Sequence, residues 1–120
     1  MAPQKVNLNN AFSRINEYRT PITAGELNGQ EIRLVKMKGE FIWHHHEHED
    51  EMFLVVKGGF TMCLRTGDVE LGEGDFIIIP RGVEHKPLAA HEAHIVLFEP
   101  AATLNTGNVH NEFTKTVLAL

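Results

Sequence analysis

Turn residues recur along this chain at intervals too short for helices. Gly39, the pair Gly58-Gly59, "TGD" at 66–68, "GEGD" at 72–75 and Pro80 cut the stretch from 30 to 98 into brief apolar-rich runs. Short alternating or apolar runs bounded by glycine and proline read as strands, because a stable helix needs a longer uninterrupted 3.6-residue pattern. The runs are 30–38, 41–47, 51–57, 60–65, 69–71, 76–79, 84–88 and 93–98. About eight short strands with no helix between them predict an antiparallel sandwich or barrel, an arrangement that also protects strand edges. The one helical candidate is 8–15 ("LNNAFSRI"), placed as a cap on the sheet. In the tail from Ala101 to Leu120, "NTG" at 105–107 is a turn, and "EFTKTVLAL" fits a strand or a short helix.

The 120 residues are read as one domain, with an N-terminal arm 1–29, a barrel core of about 30–100 and a tail 101–120. The formal net charge is −5 and no run of lysine or arginine stands out. That speaks against nucleic acid and against an anionic membrane, which both select clustered cations. No apolar run approaches the ~20 residues that span a bilayer. Cys63 is the single cysteine, so no intramolecular disulfide forms. In "FTMCLR" it reads as a small buried hydrophobe in preference to a reactive thiol. The start of the chain shows no secretory or transit pattern, and the expected location is cytoplasmic.

Residues 44–51 ("HHHEHEDE") hold four of the eight histidines. The block reads as a metal site, a solvated charge run or a purification-tag scar. Its internal position between well-patterned strands disfavours the last. In a strand, side chains two apart share a face. His44, His46 and His48 then share one face if the strand runs that far, and Trp43, His45 and Glu47 share the other. Two inward imidazoles two residues apart make a bidentate clip. Glu51 opens the apolar strand "EMFLVV", where an inward carboxylate needs a partner. Glu49 and Asp50 read as solvated turn residues. Further on, "GDFIIIPRGVEH" runs a buried strand into Pro80, which cannot donate to a ladder, and a turn through Gly82 delivers His85 to the next strand.

At these residues the chain resembles the cupins. Their first motif is matched by Gly39, His44-x-His46, four residues, Glu51, six residues and Gly58, with the spacer after Gly39 one residue shorter than usual in the family. The second motif is matched by Gly74, five residues, Pro80-x-Gly82, two residues and His85. The family's closing asparagine is Ala89 here. The fifteen residues between Gly58 and Gly74 match the short spacer of small single-domain bacterial cupins. The wider stretches are similar to small proteins labelled mannose-6-phosphate-isomerase-like. The resemblance implies an all-β fold, a single-domain antiparallel double-stranded β-helix (the jelly-roll or RmlC-like barrel) with a short N-terminal helix. It also implies that His44, His46, Glu51 and His85 bind one divalent metal inside the barrel. His45 then faces outward, and His48 falls at the rim, with a role as neighbour to the metal ligands or as an alternative ligand left open.

Three imidazoles and a carboxylate suit Mn, Fe, Ni, Co or Zn, and without thiolates a cysteine-type structural zinc site is excluded. On the first strand Ile32, Leu34 and Lys36 alternate with Arg33, Val35 and Met37. If the former face looks inward, Lys36 is a pocket cation, either holding a substrate anion or snorkelling to the rim. Phe53, Met62, Ile78, Val96 and Phe98 are the expected apolar pocket walls, and His94 a further pocket candidate. Trp43, Val35 and Met37 then form an outward apolar face that a second copy would cover, giving a homodimer. The leading function is a metal-dependent enzyme acting on a small oxygen-rich metabolite by dioxygenation, isomerisation, decarboxylation or hydrolysis. The alternative is a non-catalytic binding or sensing barrel whose metal holds a small ligand or rigidifies the fold.

Overall fold

A single 16-residue strand organises the molecule. In the computed structural model, which describes residues 2–120, the chain runs α1 (Leu8–Ser13), β1 (Ile22–Leu27), β2 (Gln30–Glu40), β3 (Glu51–Lys57), β4 (Gly59–Leu64), β5 (Val69–Gly72), β6 (Phe76–Ile79), β7 (His85–Pro100) and β8 (Leu118–Ala119). Strand β7 pairs with β4 through His85–Leu88, with β2 through Leu88–Pro100 and with β3 through His94–Phe98, all antiparallel. The path β5-β4-β7-β2-β1-β8 is completed by β3 and its edge partner β6. This is the jelly-roll arrangement expected, with both halves sharing β7. Residues 84–88 and 93–98, read as two strands, are one. Between them β7 bulges: Met37 pairs with Ala93 but Gly39 pairs with Ala89, so the exposed Ala90, His91 and Glu92 stand opposite the single Lys38. A bulge bends a strand and re-aims its side chains, which lets β7 serve both halves.

Two further boundaries differ from expectation, and in the tail the strand reading holds. Strand β1 lies within the stretch assigned to the N-terminal arm. It joins β2 through Asn28-Gly29, both at positive φ (52° and 78°), the dipeptide that two-residue hairpin turns favour. Residues 41–47 form no regular strand; only an isolated bridge between His44 and His85 remains. The tail ends in β8, which runs parallel to β1.

The faces of β2 are the reverse of the reading that put Lys36 inside. Val35 and Met37 are buried with Phe41, Phe53, Val55, Phe60, Met62, Ile79, Ile95 and Leu97 in the main core. Leu34 and Val96 point the other way, into a second cluster with Ala11, Phe12 and Ile15. The N-terminal helix explains the reversal. It covers the Leu34 side, so both faces of the strand carry apolar residues and alternation alone could not choose between them. Helix α1 is anchored by Asn7, whose side chain accepts from the Asn10 N–H at 2.9 Å. Phe12 is fully buried, worth about 1.5–3 kcal/mol. Lys36 is therefore not a pocket cation. Its Nζ donates to the Ile15 carbonyl at 2.9 Å and lies 3.9 Å from Glu92, tying the segment after α1 to the sheet. The outward Val35–Met37 face on which a second copy was expected does not exist. Cys63 is buried, and burial pushes its thiol up, in keeping with an unreactive role.

Candidate metal centre

Two backbone hydrogen bonds bring distant histidines together. His44 N–H donates to the His85 carbonyl at 3.0 Å, and His85 N–H donates back at 2.9 Å. Gly82 N–H donates to the His46 carbonyl at 2.8 Å, and Phe41 N–H to the Pro87 carbonyl at 3.0 Å. The segment 41–46 is thus laced at several points to the turn and strand that carry His85. Its other edge is held by the tail. Asn108 N–H donates to the His45 carbonyl at 3.0 Å, and the Asn108 side chain accepts from His45 N–H at 2.8 Å. Gly107, at φ 55°, sits so close that a Cβ there would collide with the His45 carbonyl. The alternation read from sequence survives without a regular strand: His44 and His46 are buried, His45 and Trp43 only half-buried.

His44, His46, Glu51 and His85 converge, with one donor atom from each lying within 4.8 Å of every other. All four are almost fully buried, at 2%, 3%, 3% and 0% exposure. The Glu51 Oε1 is 3.2 Å from His46 Nε2 and 3.4 Å from His85 Nε2. His44 Nδ1 lies 2.9 Å from the Ile42 carbonyl, and His85 Nδ1 3.0 Å from the Val83 carbonyl. A carbonyl can only accept, so each Nδ1 carries the proton and each Nε2 presents its lone pair to the cluster. Carbonyls that fix ligand tautomers in this way are usual around metals.

The donor set also passes a sharper test. Buried polar atoms are nearly always hydrogen-bonded. Among the described residues, both ring nitrogens of His46, Nε2 of His85, Oε1 of Glu51 and Oε1 of Glu99 are buried with no hydrogen-bond partner. Three of the four quartet members are on that short roll. A divalent cation fits these residues: it would accept the imidazole lone pairs and the carboxylate together. Burial, then the charge of His85, lowers the His44 pKa to about 4, so the imidazole is neutral and ready to ligate at neutral pH. Burial pushes the Glu51 carboxyl up, but the polar groups packed around it, Glu99, His46 and His85, outweigh burial and hold it well below its usual range.

Glu99 is the residue that sequence reading missed. Burial, and then the negative charge of Glu51, raise its pKa well above normal. Its Oε2 accepts from Arg33 Nη1 at 2.5 Å. Arg33, 1% exposed, also donates to Glu31 at 2.9 Å and to the carbonyls of Thr103 and Ala101 at 2.7 and 2.6 Å. A signal existed. Ile95, Leu97 and Glu99 alternate on β7, and Arg33, Val35 and Met37 on β2; each row ends in a charge that the other can pair.

A cavity of about 30 Å³ opens beside His44 and Glu51. Val35, Met37, Phe41, Phe53, Ile95 and Leu97 form its apolar wall, and Arg19, Pro21 and Asn105 complete it. Of the expected pocket residues, Phe53 lines this cavity. Met62 is buried in the same core without lining it. Ile78 points outward, 56% exposed, because its neighbours Ile77 and Ile79 take the core side of β6. His94, Val96 and Phe98 lie on the face of β7 away from the cavity, which is lined instead by Ile95 and Leu97. His94 stacks on Phe12 with ring centroids 4.6 Å apart and approaches Glu92 at 2.8 Å. His48 is exposed in a bend and is not among the converging donors. Glu47 is exposed, whereas Asp50 has work of its own, accepting from the Arg81 N–H at 2.8 Å in the turn before His85.

The family model described as "Cupin domain" matches residues 32–99. The chain is 40% identical to a cupin-2 domain protein from Shewanella frigidimarina, with a TM-score of 0.78 over 79% of this chain and 93% of that one. Protein NMB1881 from Neisseria meningitidis is 27% identical, with a TM-score of 0.75 over 82% of this chain and all of that one. Protein YdbB from Bacillus subtilis is 30% identical over 81 residues, 67% of this chain and 72% of the relative. The barrel, the converging His-His-Glu-His set and a family match over more than half of the chain give one conclusion: this chain belongs to the cupin domain family.

Proposed function

We propose that this chain binds one divalent transition metal through His44, His46, Glu51 and His85 and acts as a metal-dependent enzyme on a small oxygen-bearing molecule. The observation that carries the reading is the cavity itself. It touches the quartet through His44 and Glu51, so a ligand in it meets the donor cluster. A structural site closed on all sides would leave no such opening. When bound, Mn, Fe, Ni, Co or Zn supplies Lewis acidity, and the redox-active members of that set also supply oxygen chemistry.

The chain's own residues do the rest. Ile42 and Val83 carbonyls hold the His44 and His85 rings in one tautomer. Glu99, whose pKa is raised by burial and by the nearby charge of Glu51, would donate its proton to that carboxylate and so keep it oriented and ionised. The apolar wall of Val35, Met37, Phe41, Phe53, Ile95 and Leu97 excludes bulk water, which strengthens every polar contact made inside. Dioxygenation, isomerisation, decarboxylation and hydrolysis are all compatible with this arrangement, and the identity of the metal separates the oxidative from the redox-silent ones. The deciding experiment is elemental analysis of protein purified without a histidine tag, with His46→Ala and His85→Ala beside it. One equivalent of a first-row metal, lost in both variants, is the expected result; occupancy that survives both changes would sink the assignment.

The small size of the cavity favours a second reading, a barrel that binds a small ligand without turning it over. Ligand-induced stabilisation of the metal-loaded protein with no product formed would establish it. A homodimer belongs to the proposal on new grounds. Phe76 and Ile78 are exposed together on the edge strand β6, 62% and 56% accessible, and such a patch calls for cover. Sedimentation equilibrium checks this: Phe76→Lys with Ile78→Lys should convert a dimer into a monomer, and a wild-type monomer removes the idea.

A further inference from the structure

Among the residues that line the cavity, Arg19 is the sole cation. It is half-buried and forms no ion pair among the described residues. The buried Arg33, by contrast, is fully engaged with Glu31, Glu99 and two carbonyls. One guanidinium nitrogen of Arg19, Nη1, donates to the Lys38 carbonyl at 2.9 Å. The guanidinium carbon lies 5.2 Å from the centre of the Phe113 ring, and Phe113 in turn packs edge-on against the cavity-lining Phe41. Its backbone is at φ 63°, in the left-handed region that a non-glycine residue rarely occupies. The conformation is held by the Arg19 N–H, which donates to the Lys36 carbonyl at 2.9 Å. Side chain and backbone are thus both fixed, and Nε and Nη2 are left without a hydrogen-bond partner among the described residues. Strained residues held by their surroundings cluster where a ligand is gripped.

The chemistry of the occupant follows from charge and size. One arginine with two unused donors recognises one planar oxyanion, and arginine is the side chain whose fork fits a carboxylate. A dianionic phosphate would ask for more positive charge than this wall offers, and a cavity of about 30 Å³ admits few heavy atoms. We propose that Arg19 binds the carboxylate of a short aliphatic monocarboxylic acid whose hydrocarbon lies against Val35, Phe41, Phe53 and Leu97 and whose further oxygen faces His44 and Glu51. This rests on the metal-enzyme reading above and names its substrate class: short acids bearing a keto or hydroxy oxygen.

The test compares acids with their uncharged amides. Acetate, glycolate, lactate and pyruvate, the corresponding amides, and inorganic phosphate are titrated calorimetrically into wild type, Arg19→Gln and Arg19→Lys. Metal-free and metal-loaded protein are both used. At least one acid should bind wild type about tenfold or more tightly than its amide, the size of one charge-assisted hydrogen bond. Arg19→Gln should erase that preference and Arg19→Lys should restore part of it, while direct metal titration of both variants stays at wild-type values. The preference should persist in metal-free protein, because Arg19 sets it. A wild-type protein with no preference for any acid of the series, a preference unchanged by Arg19→Gln, or tighter binding of phosphate than of every acid would each overturn the assignment. Failure of the metal reading shows separately, as absence of metal uptake by wild type with the acid preference intact.

Discussion

Two clusters of buried charge meet inside this barrel and are finished differently. Every guanidinium nitrogen of Arg33 is met: Glu31 at 2.9 Å, Glu99 at 2.5 Å and the carbonyls of Ala101 and Thr103 take up its donors. Around His46 and His85 the same degree of burial leaves ring nitrogens and a carboxylate oxygen with nothing to bond. Leaving such an atom unpaired costs about 1–3 kcal/mol. The fold spends two tail carbonyls on the arginine and none on the imidazoles. Burial of charge therefore does not mark a site in this molecule; incomplete satisfaction does. The Arg33 cluster is a fastener between β2, β7 and the tail, and the quartet is a set of buried donors that a cation would satisfy.

The sharpest way to break this comparison is to remove the fastener. Arg33→Met keeps the length of the side chain and deletes the charge. It leaves Glu99 and two carbonyls without their donor and Glu31 with Thr23 alone, and stability should fall by about 3–5 kcal/mol, the usual cost of breaking a buried pair. Urea unfolding with and without bound metal should show the same loss. A loss that vanishes when metal is present would mean that the two clusters are one functional unit. Next in size is the response to pH. His44 has a folded pKa of about 4 against an ordinary 6.5, so the unfolded chain binds the extra proton first. Metal-free protein should therefore lose up to about 3 kcal/mol as the pH falls from about 6.5 to about 4. Glu51, held low, adds to that loss as the pH drops through its own folded value. Glu99, held high, works in the opposite direction, contributing at low pH and fading as the pH rises. Urea titrations at several pH values across this window check the sign, and a flat profile would mean that the native state protonates His44 freely.

The metal-linked term comes third. Saturation at a hundred times the dissociation constant should raise stability by about 2.7 kcal/mol in wild type. His46→Ala should abolish the gain, yet cost the metal-free protein little, because it removes a ring whose nitrogens had no partners. Differential scanning calorimetry with added Zn or Mn reads both halves of this expectation. A large loss in the metal-free variant would show that His46 is a structural residue and would blur its contrast with Arg33.

How much of this was legible beforehand differs between the two clusters. The quartet could be read because strand alternation and two spaced motifs placed His44, His46, Glu51 and His85 without any knowledge of their neighbours. The strands from Glu51 to Ile79 were readable for the same local reason, each turn between them being marked by glycine. The faces of β2 were not. Ile32 and Leu34 are as apolar as Val35 and Met37, and only the docking of Phe12 and Ile15 decides which side is the interior. The pocket residues Lys36, Ile78, His94, Val96 and Phe98 were misplaced by that one ambiguity and its counterparts on β6 and β7. Arg19 and Asn105 reach the cavity from segments outside the central strands, a tertiary placement with no periodic signature. Glu99 depended on knowing that β2 and β7 pair in a register that brings its row beside that of Arg33.

Glu99 stands between the two clusters, and the smallest expected effect tests the comparison most finely. Its Oε2 accepts from Arg33, and burial with the nearby charge of Glu51 raises its pKa, which favours a proton on the other oxygen. Glutamine reproduces both roles: its carbonyl oxygen can accept from Arg33 and its amide nitrogen can donate to Glu51. Glu99→Gln should therefore cost less than about 1 kcal/mol, as expected when a hydrogen-bond pattern is conserved, and change metal affinity only a few-fold. Glu99→Leu has nearly the same volume and neither function. It should cost several times more and weaken metal binding by roughly 10–100-fold, as removal of a group orienting a metal ligand does. Chemical unfolding and metal titration of the two variants side by side give the answer. If glutamine proves as damaging as leucine, Glu99 is ionised and belongs with Arg33 as the anion of a closed pair. If glutamine is tolerated, the charge of Arg33 is balanced through Glu31 and, across the shared proton, Glu51. The satisfied cluster then lends the unsatisfied one the hydrogen bond that keeps its carboxylate ready for a cation.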